Sequence, residues 1–156
     1  MPNVTEEILS KINSYNLFNY LFPGAIFSYL PKHYSTAPLK EDTNLVIAAF
    51  LLYFTGMVLS RIGYIIIEPI LKKIKFIKFS PYKAYVKAEN NDKKISLLCE
   101  VNNTYTSILS TFLTFDILKL YEIFLLNETT PDNFEILLIC FAIFTIFLIS
   151  YIKQTN

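Results

Sequence analysis

The chain has 156 residues, of which 53% are hydrophobic and 16% are aromatic, and its formal net charge is +1. This length fits a single domain, and the balanced charge excludes a global field that would attract nucleic acid or acidic partners. The only histidine, His33, and the two cysteines, Cys99 and Cys140, lack the spacing of a metal site or a disulfide framework.

The apolar runs predict an all-α membrane protein, because a spanning helix needs about 20 predominantly apolar residues. A short amphipathic helix over residues 4–12 comes first, with Thr5 as its N-cap. The first span contains Asn19 and Pro23-Gly24, so it either crosses with a kink or lies partly in the interface. We expect one membrane domain, residues 1–156, with four transmembrane helices at about 14–31, 44–67, 104–126 and 134–152.

The segment between spans two and three, residues 71–103, is basic and predicts the orientation. Of the fourteen Lys and Arg residues in the chain, eight lie between residues 71 and 94. Basic residues near span ends stay in the cytoplasm. We therefore expect a cytoplasmic 71–103 segment, N and C termini inside, and a multi-pass protein of the bacterial inner membrane. The eight are Lys72, Lys73, Lys75, Lys78, Lys83, Lys87, Lys93 and Lys94.

The basic segment is also predicted to be helical. Ile70, Ile74 and Ile77 would share one helical face, and Ser80-Pro81 would end that helix. A second helix is expected over about 82–90, and a third begins near Lys93 and runs into span three. The segment then consists of extensions of spans two and three joined by a connecting helix.

Span three contains three ionisable residues, Asp116, Lys119 and Glu122, within an apolar run. Their i, i+3 spacing places them within pairing reach on one side of a helix. Counted from Tyr105, Asp116 lies near the bilayer midplane, about 16 Å in at 1.5 Å per residue. Such residues face a bundle interior or a water-filled path. They are candidates for a pore or gating stripe, and the alternative is a self-neutralising stripe that holds helices together.

Two further sets of residues are candidates for packing and binding. In span two, Gly56, Ser60 and Gly63 approach a small-xxx-small pattern, which favours close helix packing. In the basic segment, aromatic and basic residues alternate at Lys83, Tyr85 and Lys87. That segment could only set topology and attract anionic lipid, could bind an anionic ligand that stacks on tyrosine, or could dock a cytosolic partner protein.

No catalytic constellation is present. The chain has three glycines, too few for a backbone phosphate cradle, and no Ser-His-Asp set or nucleophile elbow. We therefore expect no enzymatic activity, no cofactor and no metal.

The stretches "NLFNYLFPGAIF", "SRIGYIIIEPILKKIKFIKFSPY" and "EVNNTY" resemble those of small four-helix transmembrane proteins of bacterial anti-phage defence operons. In size and layout the chain is most similar to Hailong-type channel effectors, and the Kiwa membrane subunit is a rival match. The first resemblance implies a homotetrameric ion channel, controlled by an oligodeoxyadenylate from a partner nucleotidyltransferase, whose opening depolarises the infected cell. The second implies a sensor that recruits a cytosolic partner.

Two functions are therefore predicted. One is a nucleotide- or oligonucleotide-controlled oligomeric channel, which the charged stripe of span three favours. Four spans in one chain are too few to enclose a wide pore, so this function needs a homo-oligomer. The other is a membrane sensor or scaffold without conduction, which the basic aromatic patch favours.

Overall fold

A computed structural model describes residues 16–34, 44–92, 94–125 and 131–155, and every regular element in these ranges is helical. The all-helical prediction is therefore confirmed for this part of the chain, whereas the predicted helix over residues 4–12 lies outside it. Helix α1 comprises a π-helical turn at Leu17–Leu21 and an α-helix at Phe22–Tyr34, and α2 comprises Leu45–Ile62, a π-helical turn at Gly63–Ile67 and Glu68–Lys73. Helices α3, α4 and α5 are Tyr82–Asn91, Lys94–Leu125 and Pro131–Thr155.

Helix α4 is central, because α1, α2, α3 and α5 all contact it. Asn19, near the start of α1, meets Ser107, and Leu30, near the end of α1, packs against the cluster that contains Phe115. Helix α1 therefore runs parallel to α4.

Helices α2 and α5 run antiparallel to α4. Along α2, Leu59 contacts Ser110, and the later Gly63 approaches Thr106. Along α5, Asn133 meets Lys119, while Tyr151, near the end of α5, packs in the cluster that contains Leu109, which precedes Lys119 in α4. The four long helices thus form an up-down-up-down bundle in which the start of α1 and the end of α5 lie at the same end.

Two hydrophobic clusters hold the bundle together. One joins the end of α2, the segment after it, α4 and the end of α5. The other joins α4 and α5 and is covered by the second half of α1. The buried members of the first are Ile67, Leu71, Ile77, Leu109 and Tyr151, and those of the second are Ile108, Phe112, Phe115, Ile136 and Cys140.

Each π-helical turn ends two residues before a proline, Pro23 in α1 and Pro69 in α2, and neither helix is interrupted there. A proline ring clashes with the carbonyl of the residue four positions earlier in an α-helix. That residue is Asn19 for Pro23 and Ile65 for Pro69, and each lies inside a π-helical turn. We infer that the extra residue in each turn relieves the clash, as π-bulges do in other helices. Helix α1 therefore continues through the Pro23-Gly24 pair.

Helix α2 ends earlier than its sequence pattern predicts. The expected helical face through Ile70, Ile74 and Ile77 is wrong, because the helix ends at Lys73 and Lys75 has a φ of 61°. A positive φ is incompatible with a continuing right-handed helix. The chain turns there and inserts Ile77 into the core, where it is 2% exposed. The connecting helix and the third helix, by contrast, form close to their predicted bounds, as α3 and as the start of α4.

Glycines bring α1 and α2 into backbone contact. A methyl group added at Gly56 would lie 1.7 Å from the carbonyl oxygen of Tyr20, and one at Gly24 would lie 1.9 Å from that of Leu52. At Gly63, an added methyl would lie 2.6 Å from Cγ2 of Thr106. Small residues allow such close approach between membrane helices.

The described helices present apolar surface of spanning length. Two of them, Leu45–Lys73 and Asn133–Thr155, are long and apolar enough to cross a membrane, with mean hydropathies of 2.0 and 2.5. Leu17–Leu30 is a shorter apolar helix. Only 17% and 11% of the most apolar windows of the two long helices are buried within the protein. Exposed apolar surface of this extent marks a membrane or protein contact rather than a surface in water.

Candidate functional site

Helix α4 bears two separate sets of buried polar groups. The first faces α1 and α2 and consists of small hydroxyl side chains. Ser107 Oγ donates a hydrogen bond to Asn19 Oδ1 at 2.5 Å, and Ser110 Oγ donates to the Leu59 carbonyl oxygen at 2.6 Å. Both bonds join different helices, so they fix the positions of α1 and α2 on α4. The buried polar residues at this contact, from α1, α2 and α4 together, are Asn19, Ser60, Thr106, Ser107, Ser110 and Thr111.

These hydroxyl groups are not among the site residues predicted from the sequence. A signal for them is present, since Thr106, Ser107, Ser110 and Thr111 recur at i, i+3 and i+4 spacing within the predicted third span. Of the predicted packing residues, Gly56, Ser60 and Gly63 all lie buried, with Gly56 against α1 and Gly63 against α4. Gly24 of α1 was also missed as a contact residue, although its backbone approach to α2 is equally close.

The second set is the charged stripe, and its centre is Lys119. Lys119 Nζ lies 2.8 Å from Glu122 Oε2 and donates a longer hydrogen bond, 3.4 Å, to Asn133 Oδ1 of α5. The Lys119 side chain is 2% exposed and that of Glu122 is 18% exposed. The structure therefore brings Lys119 and Glu122 together inside a single chain, at the contact between α4 and the start of α5.

Asp116 has a different environment from the other two charges. It is 8% exposed, and its Oδ1 has no hydrogen-bond partner among the described residues. Its neighbour in sequence, Phe115, packs in the cluster with Ile136 and Cys140 of α5. A buried carboxylate oxygen without a partner is costly. Water, an ion or a second chain that reached this oxygen would supply the hydrogen-bond or electrostatic partner that the described residues do not provide.

The hydroxyl groups and the charged stripe do not form one continuous polar path. Ser107 and Asp116 are nine residues apart, which is about 180° around a helix of 3.6 residues per turn. The hydroxyl groups accordingly face α1 and α2, whereas the charged stripe faces α5. A polar path through one chain would have to pass around α4 between these two faces.

The predicted ligand residues on α3 occupy two opposite faces. Lys83 and Lys87 are exposed and share one face by their i, i+4 spacing, whereas Tyr85, half-buried, is turned toward α4. A side-chain hydrogen bond with Cys99 of α4, followed by some burial and by a bond with Glu89, raises the pKa of Tyr85 to about 12. The structure thus brings Lys83 and Lys87 together and separates Tyr85 from them.

Among the described residues, no group of three His, Cys, Asp or Glu side chains is arranged to hold a metal ion. The polar groups described above can fix helices, solvate charge inside the bundle, and present a small basic face at one of its ends. Comparisons with protein-family models, with curated proteins and with solved structures find no match.

Proposed function

We propose that the chain is a four-span protein of the bacterial inner membrane with both termini in the cytoplasm. The alternating directions of α1, α2, α4 and α5 support four crossings, and the apolar exposure of α2 and α5 supports lipid as their surroundings. The basic residues of α3 and of its flanking segments lie at one end of the bundle. The positive-inside rule assigns that end to the cytoplasm.

This topology places the charged stripe away from the basic end. Phe144, the midpoint of the Asn133–Thr155 helix, packs in the cluster that contains Phe112. At 1.5 Å per residue, Asp116 lies about 6 Å beyond Phe112 along α4, and Lys119 lies about 10 Å beyond it. The half-thickness of the hydrocarbon layer is about 15 Å. The Lys119–Glu122 pair is then near the outer interface, where charge costs less, and Asp116 is the member of the charged stripe that lies closest to the midplane.

We further propose that the chain is an oligomeric ion-channel effector of anti-phage defence, assembled as a tetramer and controlled by a nucleotide or oligonucleotide at the basic face of α3. The observation that favours conduction is the buried Oδ1 of Asp116, which has no partner within the described chain. In an assembled channel, water or a permeating ion would solvate this oxygen. Opening would dissipate the membrane potential of an infected cell.

A second function, a non-conducting membrane sensor or scaffold that recruits a cytosolic defence partner, has an observation in its favour. Lys119 is 2% exposed and contacts Glu122 and Asn133, so this part of the stripe is paired within one chain. In that case the stripe holds α4 against α5, and the basic face of α3 would bind a protein.

Flux through liposomes separates the two functions. We expect purified protein in liposomes to release a trapped monovalent cation when short oligodeoxyadenylates are added, and Asp116→Asn to change the cation-to-anion preference of that release. Lys153→Gln, at the exposed end of α5, is the matched control for a change of one charge. Absence of flux with every nucleotide tried, in protein that is folded and oligomeric, would leave the scaffold as the better account.

Membrane integration is the simplest expectation to check. We expect the protein to remain in the pellet after washing membranes with alkaline carbonate, because α2 and α5 each bury about 20 apolar residues in lipid. The measurement is an immunoblot of pellet and supernatant, with a peripheral protein as control. Release into the supernatant would contradict the four-span topology.

Topology is best tested with exposed reporters, since Cys99 is only partly accessible beside Tyr85. In a chain without its two natural cysteines, Tyr82→Cys should react with an impermeant maleimide only after the cells are permeabilised. Leu45→Cys, at the opposite end of the bundle, should react in intact cells. Tyr82 and Leu45 are 78% and 83% exposed, so both reporters are open to reagent. Labelling of Tyr82→Cys in intact cells, with Leu45→Cys labelled only after permeabilisation, would show that the protein has the opposite orientation in the membrane.

Lys83 and Lys87 should govern the response to an anionic ligand. We expect the double change Lys83→Glu and Lys87→Glu to abolish ligand-dependent flux, because like charge repels a phosphate backbone. Tyr85→Phe should have a smaller effect, since Tyr85 faces Cys99 rather than the basic face. The control is Lys72→Glu with Glu68→Lys, which reverses an existing ion pair of 3.1 Å. A wild-type response in the first variant would leave attraction to anionic lipid as the role of these lysines.

A further inference from the structure

A lateral groove lies between the start of α1 and the first half of α4. Its volume is about 420 Å³, within the range of about 300–1,000 Å³ that is typical of ligand pockets. Its lining is mainly apolar and comes from Phe18 of α1 and from Leu97, Glu100, Val101, Thr104, Tyr105 and Ile108 of α4. The α4 residues follow each other at i, i+3 and i+4 spacing, so they form a strip along one side of the helix.

The groove has a polar end and an apolar end. Measured from Phe112 at 1.5 Å per residue, Glu100 lies about 18 Å from the level of the bilayer centre, and Ile108 lies about 6 Å from it. With a hydrocarbon half-thickness of about 15 Å, Glu100 reaches the headgroup region and Ile108 lies among the acyl chains. These depths rest on the four-span topology proposed above, with this end of the bundle in the cytoplasm.

Among the described residues that line the groove, Glu100 is the only charged one. It is partly exposed and makes no ion pair with any described residue. The hydroxyl of Thr104 donates to the backbone carbonyl of Glu100, at 3.0 Å, and not to its carboxylate. A carboxylate at this depth favours a cationic group and disfavours an anionic headgroup.

Phe18 closes the groove from the side of α1. It belongs to the π-helical turn, in which the next residue, Asn19, is fully buried and bonded to Ser107. Phe18 itself is 54% exposed. The hydrogen bond that Ser107 donates to Asn19 thus fixes the part of α1 that carries Phe18 against α4.

We propose that this groove binds one phospholipid of the cytoplasmic leaflet that carries an ammonium headgroup. The ammonium lies at Glu100, and one acyl chain runs along Val101, Tyr105 and Ile108. A zwitterionic lipid fits because it offers a cation at the depth of Glu100 and an apolar chain at the depth of Ile108. The bound lipid contacts α1 and α4 together and so stabilises their contact.

Lipid retention tests the proposal. The protein is incorporated into vesicles of phosphatidylethanolamine and phosphatidylglycerol in equal amounts, extracted in mild detergent, and weighed by native mass spectrometry. We expect wild-type protein to retain one lipid per chain with phosphatidylethanolamine in excess. Glu100→Gln should lower that excess about threefold, as for loss of a partly exposed ion pair. Glu135→Gln, an exposed site on α5, is the matched control and should leave it unchanged.

A second experiment fills the groove with a larger side chain. Val101→Trp should remove the retained lipid, whereas Leu98→Trp, an exposed α4 residue outside the lining, should not. If Val101→Trp is unfolded by circular dichroism, Val101→Ala, which widens the groove, should keep the lipid and its selectivity. Equal retention in wild type and Val101→Trp, or an unchanged lipid ratio in Glu100→Gln, overturns the proposal. Lipid retention does not require conduction, so a negative flux assay would not contradict this lipid site. Release of the protein by carbonate would contradict both the four-span topology and the lipid site.

Discussion

Replacing Gly56 by valine should prevent α1 from packing on α2. The first carbon of any added side chain would lie 1.7 Å from the carbonyl oxygen of Tyr20, and the atom in the way is backbone. A flexible side chain could move aside, but a helix backbone moves only as a unit. The cost should therefore exceed the roughly 1–3 kcal/mol of ordinary overpacking. We expect loss of folded protein in detergent extracts, measured as yield and as melting temperature.

The control for this change is Ala49→Val, which produces the same side chain on an exposed position of α2. It should melt within a few degrees of wild type. Gly24→Val should repeat the effect of Gly56→Val from the other helix, since its first carbon would lie 1.9 Å from the carbonyl oxygen of Leu52. A wild-type melting temperature for Gly56→Val would mean that α1 and α2 are not in the contact described.

Replacing Lys119 by methionine should destabilise the contact between α4 and α5. Lys119 is 2% exposed and bonds to Glu122 and to Asn133, so its loss leaves a carboxylate and a side-chain amide without their cation. Removing one partner of a buried pair costs about 3–5 kcal/mol in soluble proteins. We expect a lower melting temperature and less assembled protein in the membrane.

The double change Lys119→Met and Glu122→Gln identifies the partner. Because Glu122 makes the 2.8 Å contact, neutralising it should recover most of the lost stability. Lys119→Met with Asp116→Asn should recover less, since the described structure shows no hydrogen bond at Asp116 Oδ1. Equal recovery in the two double variants would indicate that Asp116 and Glu122 share Lys119. Asp116→Asn alone should fold as well as wild type, so any change in its flux would report on conduction.

Much of the helical layout could be predicted from the sequence, because it depends on local composition. The two longest apolar runs became Leu45–Lys73 and Asn133–Thr155, helices of spanning length. Sequence spacing alone was also sufficient to place Glu122 within reach of Lys119, since i, i+3 neighbours on a helix always lie close together. The basic connecting helix at Tyr82–Asn91 was predictable for the same reason, with Ser80-Pro81 before it and Asp92 directly after it.

Other features depended on which helix lies opposite which, and no local pattern contains that information. From the sequence, Asn19 was a reason to expect a first span that kinks or lies partly in the interface. Packing on α4 instead makes it a buried hydrogen-bond partner of Ser107. Tyr85 was grouped with Lys83 and Lys87 because aromatic and basic residues alternate there. In the structure, Tyr85 instead interacts with Cys99 of α4. The end of α2 at Lys73 followed from the turn at Lys75 and from the burial of Ile77, which the helical period did not reveal.

The charged stripe shows most clearly which features depend on local sequence and which depend on helix packing. The sequence by itself determined that Asp116, Lys119 and Glu122 share an arc of one helix, because the rise and turn of an α-helix are fixed by the backbone. Only the tertiary structure decided their partners: α5 places Asn133 on Lys119 and leaves Oδ1 of Asp116 without a partner in the described residues. The physical reason is that a hydrogen bond requires contact within about 3 Å, and contact between residues distant in sequence is created by helix packing alone.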